Sequence, residues 1–236
     1  MKIIYENDNY LVVDKPAGVL VHPTAANETN TLVDWLCDRY SDFKNQAWAE
    51  PMRAGIVHRL DKDTSGLIVL AKNPATLERL QNLFKSREVH KTYQALVAGH
   101  APEKGKVDLP IIRDSQKDLM RTQAMSFSFS RGTAREAVTE YKTIARYKFK
   151  KDELSLVEVY PATGRMHQIR VHLKSDGFPL IGDQLYFNKL SKRISKEFKF
   201  DRQFLHAVRL EIDGQTFESD LSDDLKEIIT KLKVIE

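Results

Sequence analysis

The 236-residue chain lacks most of the features that quickly assign a protein to a class. It has one cysteine, Cys37, which can neither close an internal disulfide nor build a zinc site alone. Its longest apolar runs, Ala17–Val21 and Leu67–Ala71, fall far short of the ~20 residues that cross a bilayer. The chain opens on a strand-like Ile3-Ile4-Tyr5 rather than a basic stretch followed by an apolar one, so no export signal is expected. A reducing, cytoplasmic setting and no membrane association are the expectations. Neither G-x-x-x-x-G-K-[ST] nor G-x-G-x-x-G occurs, so no phosphate cradle for a nucleotide cofactor is expected. His-Glu-x-x-His and Gly-x-Ser-x-Gly are also missing, and His167 and His172 stand five apart, off a shared helix face. The seven histidines therefore point to packing or polar contacts rather than to metal ligation. No repeat of 20–50 residues is visible, which argues against a solenoid.

What is present is an ordinary globular composition, 42% hydrophobic and 30% charged, enough to build a sizeable core. The formal net charge of +4 is too mild to name a partner, but its distribution is uneven. Residues 1–50 carry four basic and eight acidic side chains (net −4), and residues 203–236 carry the same. Residues 51–112 carry ten and six (+4), residues 113–150 nine and four (+5), and the short stretch 189–202 six and two (+4). A basic middle between acidic ends suits a phosphate backbone on one face, although any single basic run can equally be a solvated helix face.

Pattern reading predicts an α+β fold with strands in hairpins and meanders. Tyr10–Asp14 and Leu67–Ala71 read as buried strands, and Tyr93–Ala98 as another. A short helix is predicted from about Thr31, with Leu32, Trp35 and Leu36 on one face. Asn73 and Pro74 have the character of an N-cap and first helical position. Ala137–Tyr147 and Leu154–Tyr160 alternate and should pair, Asp213-Gly214 reads as a hairpin turn, and His167–Ser175 reads as a helix. Ser222 is placed to cap a last helix with Leu225, Ile228, Ile229 and Leu232 inward. Pro110–Arg135, polar and largely aperiodic, reads as an insertion or mobile loop whose length favours a functional role.

Two constellations carry the chemistry. In Gly55–Leu67 (GIVHRLDKDTSGL), Asp61 precedes a Thr-Ser-Gly turn and a buried strand, with basic residues around it. Local chemistry alone favours a plain Asx-type turn, with Asp61 or Asp63 bonding nearby amides. In Thr163–Leu173 (TGRMHQIRVHL), a helix starting near Met166 would bring His167 and Arg170 to one face. Arg170 there could hold a carboxylate ionised and oriented, or form a structural ion pair with some other acid.

Together these segments resemble the RluA-type pseudouridine synthase family. HRLDKDTSGL is similar to its central motif, DKPAGVLVHP (Asp14–Pro23) to its N-terminal Lys-Pro-Gly motif and KTYQALV (Lys91–Val97) to its tyrosine motif. GRMHQIRVHL (Gly164–Leu173) resembles its C-terminal motif and PLIGDQLY (Pro179–Tyr186) the segment after it. The match runs in order from about residue 3 to 213, and AGIVHRLDKDTSGL is most similar to the branch acting on large-subunit ribosomal RNA.

The resemblance implies an RNA uridine isomerase needing no cofactor and no metal. Its fold would be a mixed, mostly antiparallel sheet in two halves, with helices packed on it and a central basic cleft, residues 1–236 forming one catalytic domain. By position, Asp61 becomes the catalytic carboxylate, Tyr93 the ring stacking on the target uracil, and Arg170 the ion-pair partner of Asp61. Arg59 becomes the side chain that displaces the target base. Lys15 and Pro16 are family markers given a structural role. Arg165, His167, Lys192, Arg193 and Lys196 complete the expected RNA contacts. Many ribosomal-RNA members carry a small RNA-binding domain ahead of the catalytic one, and this chain is expected to lack it. The wording of AGIVHRLDKDTSGL makes ribosomal RNA the expected substrate. The missing domain leaves a smaller substrate, such as a transfer RNA stem-loop, as the alternative, and a monomer is the expected acting form. A non-catalytic RNA-binding factor on the same scaffold would not need an acid in its phosphate cleft. A carboxylate glycoside hydrolase would need a second acid at a defined separation, and Asp63 belongs to the turn.

Overall fold

The computed structural model describes residues 1–23, 28–114, 119–122 and 133–235. In chain order, the elements begin with β1 (Lys2–Glu6), β2 (Tyr10–Lys15), α1 (Leu32–Arg39), β3 (Ser65–Ala71), α2 (Pro74–Lys85) and β4 (His90–Ala98). They continue with β5 (Lys104–Asp108), β6 (Ile111–Asp114), β7 (Leu119–Thr122), β8 (Val138–Phe149), β9 (Asp152–Pro161) and α3 (Gln168–Ser175). The last are α4 (Lys189–Phe198), β10 (Leu205–Ile212), β11 (Gln215–Glu218), α5 (Asp223–Thr230) and β12 (Lys233–Val234). The fold is α+β, and the strand pairings given below are antiparallel. Among the described residues no helix is long and apolar enough to cross a membrane.

The chain divides into two compact units, Met1–His90 with Ala207–Asp220, and Lys91–His206 with Leu221–Glu236. In the first, the strand order is β1-β2-β3-β10, with β11 on β10. β2 and β3 pair from Tyr10↔Ala71 to Lys15↔Gly66, and both are buried nearly throughout. Gly66 takes φ +110°, and a Cβ there would lie 2.4 Å from the backbone of Ala207, so only glycine lets β10 approach this closely. α1 starts on a reciprocal capping box between Thr31 and Asp34. α2 starts on Asn73, whose side chain accepts from Thr76 N, with Pro74 following. Asp213 and Gly214 both have positive φ, as a two-residue turn between paired strands requires.

In the second unit, β4 pairs with β9, β9 with β8, and β8 also with β5 and β12. Leu96, Leu154, Ile181, Ile194, Phe198, Phe204, Leu225 and Ile228 belong to one buried cluster beneath α4 and α5. Three expectations change here. Within the presumed loop, residues 111–114 and 119–122 pair as strands, β6 on β7 from Ile111↔Thr122 to Asp114↔Leu119. Their apolar pairs were hidden among polar neighbours, and residues 115–118 and 123–132 lie outside the described residues. Ser222 precedes α5 without a side-chain cap bond; its hydroxyl accepts from Arg202 Nη2 at 3.0 Å instead. His167 stands before α3 with φ +55°, so the helix-face pairing of His167 with Arg170 fails, because His167 is not helical.

Candidate active site

Asp61 stands, half-buried, at the start of a turn closed by Thr64 N donating to its carbonyl oxygen at 3.1 Å. That turn is fastened by a lysine far away in sequence. Lys15, at the end of β2, is fully buried. Its ammonium donates to the carbonyls of Pro16 (2.9 Å), Val19 (2.9 Å) and Lys62 (3.0 Å). Gly18 N donates to the same Lys62 oxygen at 3.0 Å. The Lys-Pro-Ala-Gly turn is thus bolted to the peptide just after Asp61, which accounts for the structural role expected of Lys15. Buried ammonium is tolerated because carbonyl dipoles replace its hydration. Alongside, His58 Nε2 accepts from Val69 N at 3.2 Å and stacks on Phe84 with ring centroids 4.5 Å apart. This holds the backbone from which Arg59 extends, exposed. His22 is buried, and its imidazole pKa is lowered by burial and then by the positive charges of Arg53 and Arg59.

Tyr93 is buried on β4 opposite Val159. Lys91, two residues earlier and so on the same strand face, has its ammonium pKa lowered by burial. A Cβ on Gly164 would come within 4.0 Å of its Nζ, which places the Thr163–His167 loop beside it. That loop is pinned by Gln168, the buried first residue of α3. Its carbonyl accepts from Thr163 Oγ1 (2.7 Å) and Arg165 N (3.0 Å). Its amide donates to Val138 O (2.9 Å) and Thr139 Oγ1 (3.0 Å).

Arg170, 5% exposed, meets Asp183, 4% exposed, in a fork: Nε to Oδ2 at 2.7 Å and Nη2 to Oδ1 at 2.9 Å. Oδ1 also accepts from Leu185 N (2.8 Å) and Tyr186 N (2.9 Å). A bidentate pair fixes both distance and plane of the guanidinium, and Tyr186 lies beneath it, 5.2 Å from Arg170 Cζ to the ring centroid. Gly182 makes the bend before Asp183: at φ +82°, a Cβ would fall 1.8 Å from the carbonyl of Arg202, which no side chain survives.

The expected RNA contacts separate into groups. His167 joins the Arg170 cluster, with Nδ1 3.0 Å from Tyr186 OH. Arg165 is exposed and donates to Glu136 O at 3.1 Å. Lys192, Arg193 and Lys196 lie exposed on α4. Arg193 pairs with Asp152 (2.8 Å) and Glu197 (3.7 Å), whereas Lys192 sits over the Phe187 ring at 4.7 Å. Sequence reasoning did not single out Gln168 or Asp183 as functional. The available signal for Asp183 was a Gly-Asp pair beyond the arginine helix, but which acid meets which arginine depends on a fold that brings residues thirteen apart together.

A family model described as RNA pseudouridylate synthase matches residues 9–175. The chain is 34% identical over 99% of its length to "Ribosomal large subunit pseudouridine synthase D" of Buchnera aphidicola, covering 73% of that protein. It is 38% identical over 99% of its length to "Uncharacterized RNA pseudouridine synthase YlyB" of Bacillus subtilis, again covering 73%. Among solved structures, "Human RNA Pseudouridylate Synthase Domain Containing 1" is similar with a TM-score of 0.76 at 26% identity, over 99% of this chain and 88% of that one. The chain therefore belongs to the RNA pseudouridylate synthase family and is an RNA uridine isomerase.

Proposed function

We propose that the chain isomerises specific uridines in large-subunit ribosomal RNA, with Asp61 as the catalytic carboxylate, Tyr93 stacking on the target uracil and Arg170 orienting Asp61. The observation that carries the ribosomal assignment is the name borne by relatives at about 35% identity over nearly the whole chain. The residue roles rest on the motifs around Asp61, Tyr93 and Arg170. We take residues 1–236 as one catalytic domain acting as a cytoplasmic monomer on RNA.

The chemistry suits the residues. Isomerisation breaks the C1′–N1 bond, turns the uracil and joins C1′ to C5; the C5 proton leaves and N1 gains one. A carboxylate can attack or stabilise the electron-poor sugar or ring, and its partner arginine orients it and offsets its desolvation. The target base must leave its stack at roughly a few kcal/mol, recovered by stacking in the pocket and by phosphate contacts. Arg59, exposed on its braced segment, is assigned to fill the gap left behind. Arg165 and His167 are assigned to backbone contacts near the uridine.

Release of tritium from C5 of labelled uridine in RNA tests the roles: wild type should release it and Asp61→Asn should not, whereas equal release would remove Asp61 from the chemistry. Mapping pseudouridine in RNA from cells lacking the protein tests the substrate. Missing sites in large-subunit ribosomal RNA support the assignment, and missing sites confined to transfer RNA overturn it.

A further inference from the structure

Beyond the cluster around Arg170, the chain from Gln184 to Lys196 presents an unusual surface. Tyr186 points inward, its hydroxyl accepting from Met120 N at 2.8 Å. Its neighbours on either side point out: Leu185 is 46% and Phe187 38% exposed. A lone exposed apolar side chain needs no explanation. These two differ because their backbone is held fast. Leu185 N and Tyr186 N donate to Asp183, the carboxylate that grips Arg170. Immediately beyond, Asn188 caps α4 reciprocally with Ser191. The Phe187 ring is held in turn by the Lys192 ammonium 4.7 Å above its centroid. Lys189, Lys192 and Lys196 form an exposed stripe on α4, three and four residues apart on one helix face. Among the described residues none of the three has an ion-pair partner, whereas Arg193 on the adjacent face is matched by Asp152 and Glu197.

An exposed aromatic ring held rigid beside a row of unmatched ammonium groups has the components that single-stranded nucleic acid requires. The ring face stacks on any base and the cations follow the phosphates. We propose that Leu185, Phe187 and the Lys189–Lys192–Lys196 stripe form a platform that stacks one unpaired nucleotide of the substrate RNA and grips its adjoining phosphates, outside the uridine pocket. A protein partner would need acidic groups against the stripe, and the ring would then contribute nothing to RNA affinity. The proposal rests on the family reading of an RNA substrate and adds a second point of attachment. Because Asp183 holds both Arg170 and the platform backbone, the attachment point is rigidly referenced to the arginine.

The test uses the full chain carrying Asp61→Asn, so that RNA is bound without turnover, and an RNA stem-loop with 2-aminopurine at unpaired positions. Phe187→Ala should weaken binding about tenfold or more and abolish quenching at one loop position without changing the salt slope. Phe187→Trp should restore both. Lys196→Gln should lower the salt slope and leave the quenching in place. Unchanged affinity and quenching in Phe187→Ala, with an unchanged melting temperature, would overturn the platform and leave the patch to a protein or to solvent. If Phe187→Ala melts lower, Phe187→Leu, which keeps the apolar bulk, decides: full quenching with Leu also overturns it. Pseudouridine formation by the wild-type chain is measured in parallel. Its absence strikes the uridine-isomerase reading, whereas its presence with an indifferent Phe187 strikes only the platform.

Discussion

The two compact units fix their key polar groups by different means. In the first, the turn that displays Asp61 is held by an ammonium buried among carbonyl oxygens: Lys15 donates to Pro16, Val19 and Lys62. In the second, Arg170 is held by a carboxylate, Asp183, with which it shares two hydrogen bonds. Dipoles suit the first case because neutral carbonyls fasten the turn through main chain, without a further acid competing for any cation meant for Asp61. A charge pair suits the second because a buried guanidinium needs a counter-charge and a fixed plane. The displayed acid is thus braced through main chain, and the arginine through a side chain that also organises the next loop.

Substitutions can break this comparison. The largest effect is expected for Asp61→Asn, a loss of roughly 10³-fold or more in C5 tritium release with an unchanged melting temperature. A similar loss accompanied by melting would show that Asp61 holds the fold rather than the chemistry. Next, Asp183→Asn removes the buried carboxylate that forks Arg170 and should cost about 3–5 kcal/mol. Hydrogen exchange should then accelerate in α3 and in residues 183–191. Lys15→Met takes the ammonium donor from the part-buried carbonyls of Pro16 and Val19, while Lys62 O keeps Gly18 N. At about 1–3 kcal/mol per unpaired carbonyl before relaxation, it should open residues 10–23 and 61–64 instead. If both variants open the same segments, the two bracing systems are not separate.

A smaller effect separates the basic residues of α4. Replacing Lys192 and Lys196 with Gln should reduce the salt dependence of RNA binding by roughly 0.7 per lysine. Arg193→Gln, whose charge is already matched by Asp152 and Glu197, should change the slope less and the melting temperature more. Equal slopes for all three would cancel that distinction.

The smallest effect is on pH. Burial lowers the pKa of His172 from 6.5; its ring bridges Thr139 Oγ1 at 2.9 Å and Leu109 O at 3.0 Å. Below pH 6.5 the unfolded chain takes up this proton before the folded one. Stability from His172 is therefore complete above that pH and declines as pH falls through the folded pKa. His172→Gln should flatten the dependence of melting temperature between pH 7 and 5, independently of salt. His22 has the same sign in the first unit, but Arg53 and Arg59 contribute to its shift, so salt should soften its part. An unflattened profile in His172→Gln would assign the acid sensitivity elsewhere.

Elements with a local cause were legible in the sequence. Asn73-Pro74 begins α2, Thr31 caps α1 and Asp213-Gly214 turns the β10–β11 hairpin, because each depends on bonds within a few residues. The alternation in Ala137–Tyr147 and Leu154–Tyr160 likewise foretold β8 and β9. The paired strands β6 and β7 were missed because four-residue strands leave too little periodicity to read. His167 was misplaced because a non-glycine residue at positive φ is uncommon, and histidine, although enriched there, does not by type alone mark such a position before a helix.

The sequence by itself determined the α+β class, the motifs around Asp61, Tyr93 and Arg170, and the family to which they point. Only the tertiary structure decided that Lys15 fastens a turn forty-seven residues away and that Asp183 grips Arg170. It also separated Arg193, neutralised, from Lys192, poised over an exposed ring. The reason is that a charge acquires its role from burial and from the atoms within about 3 Å of it, and both are set by chain segments that sequence distance does not relate.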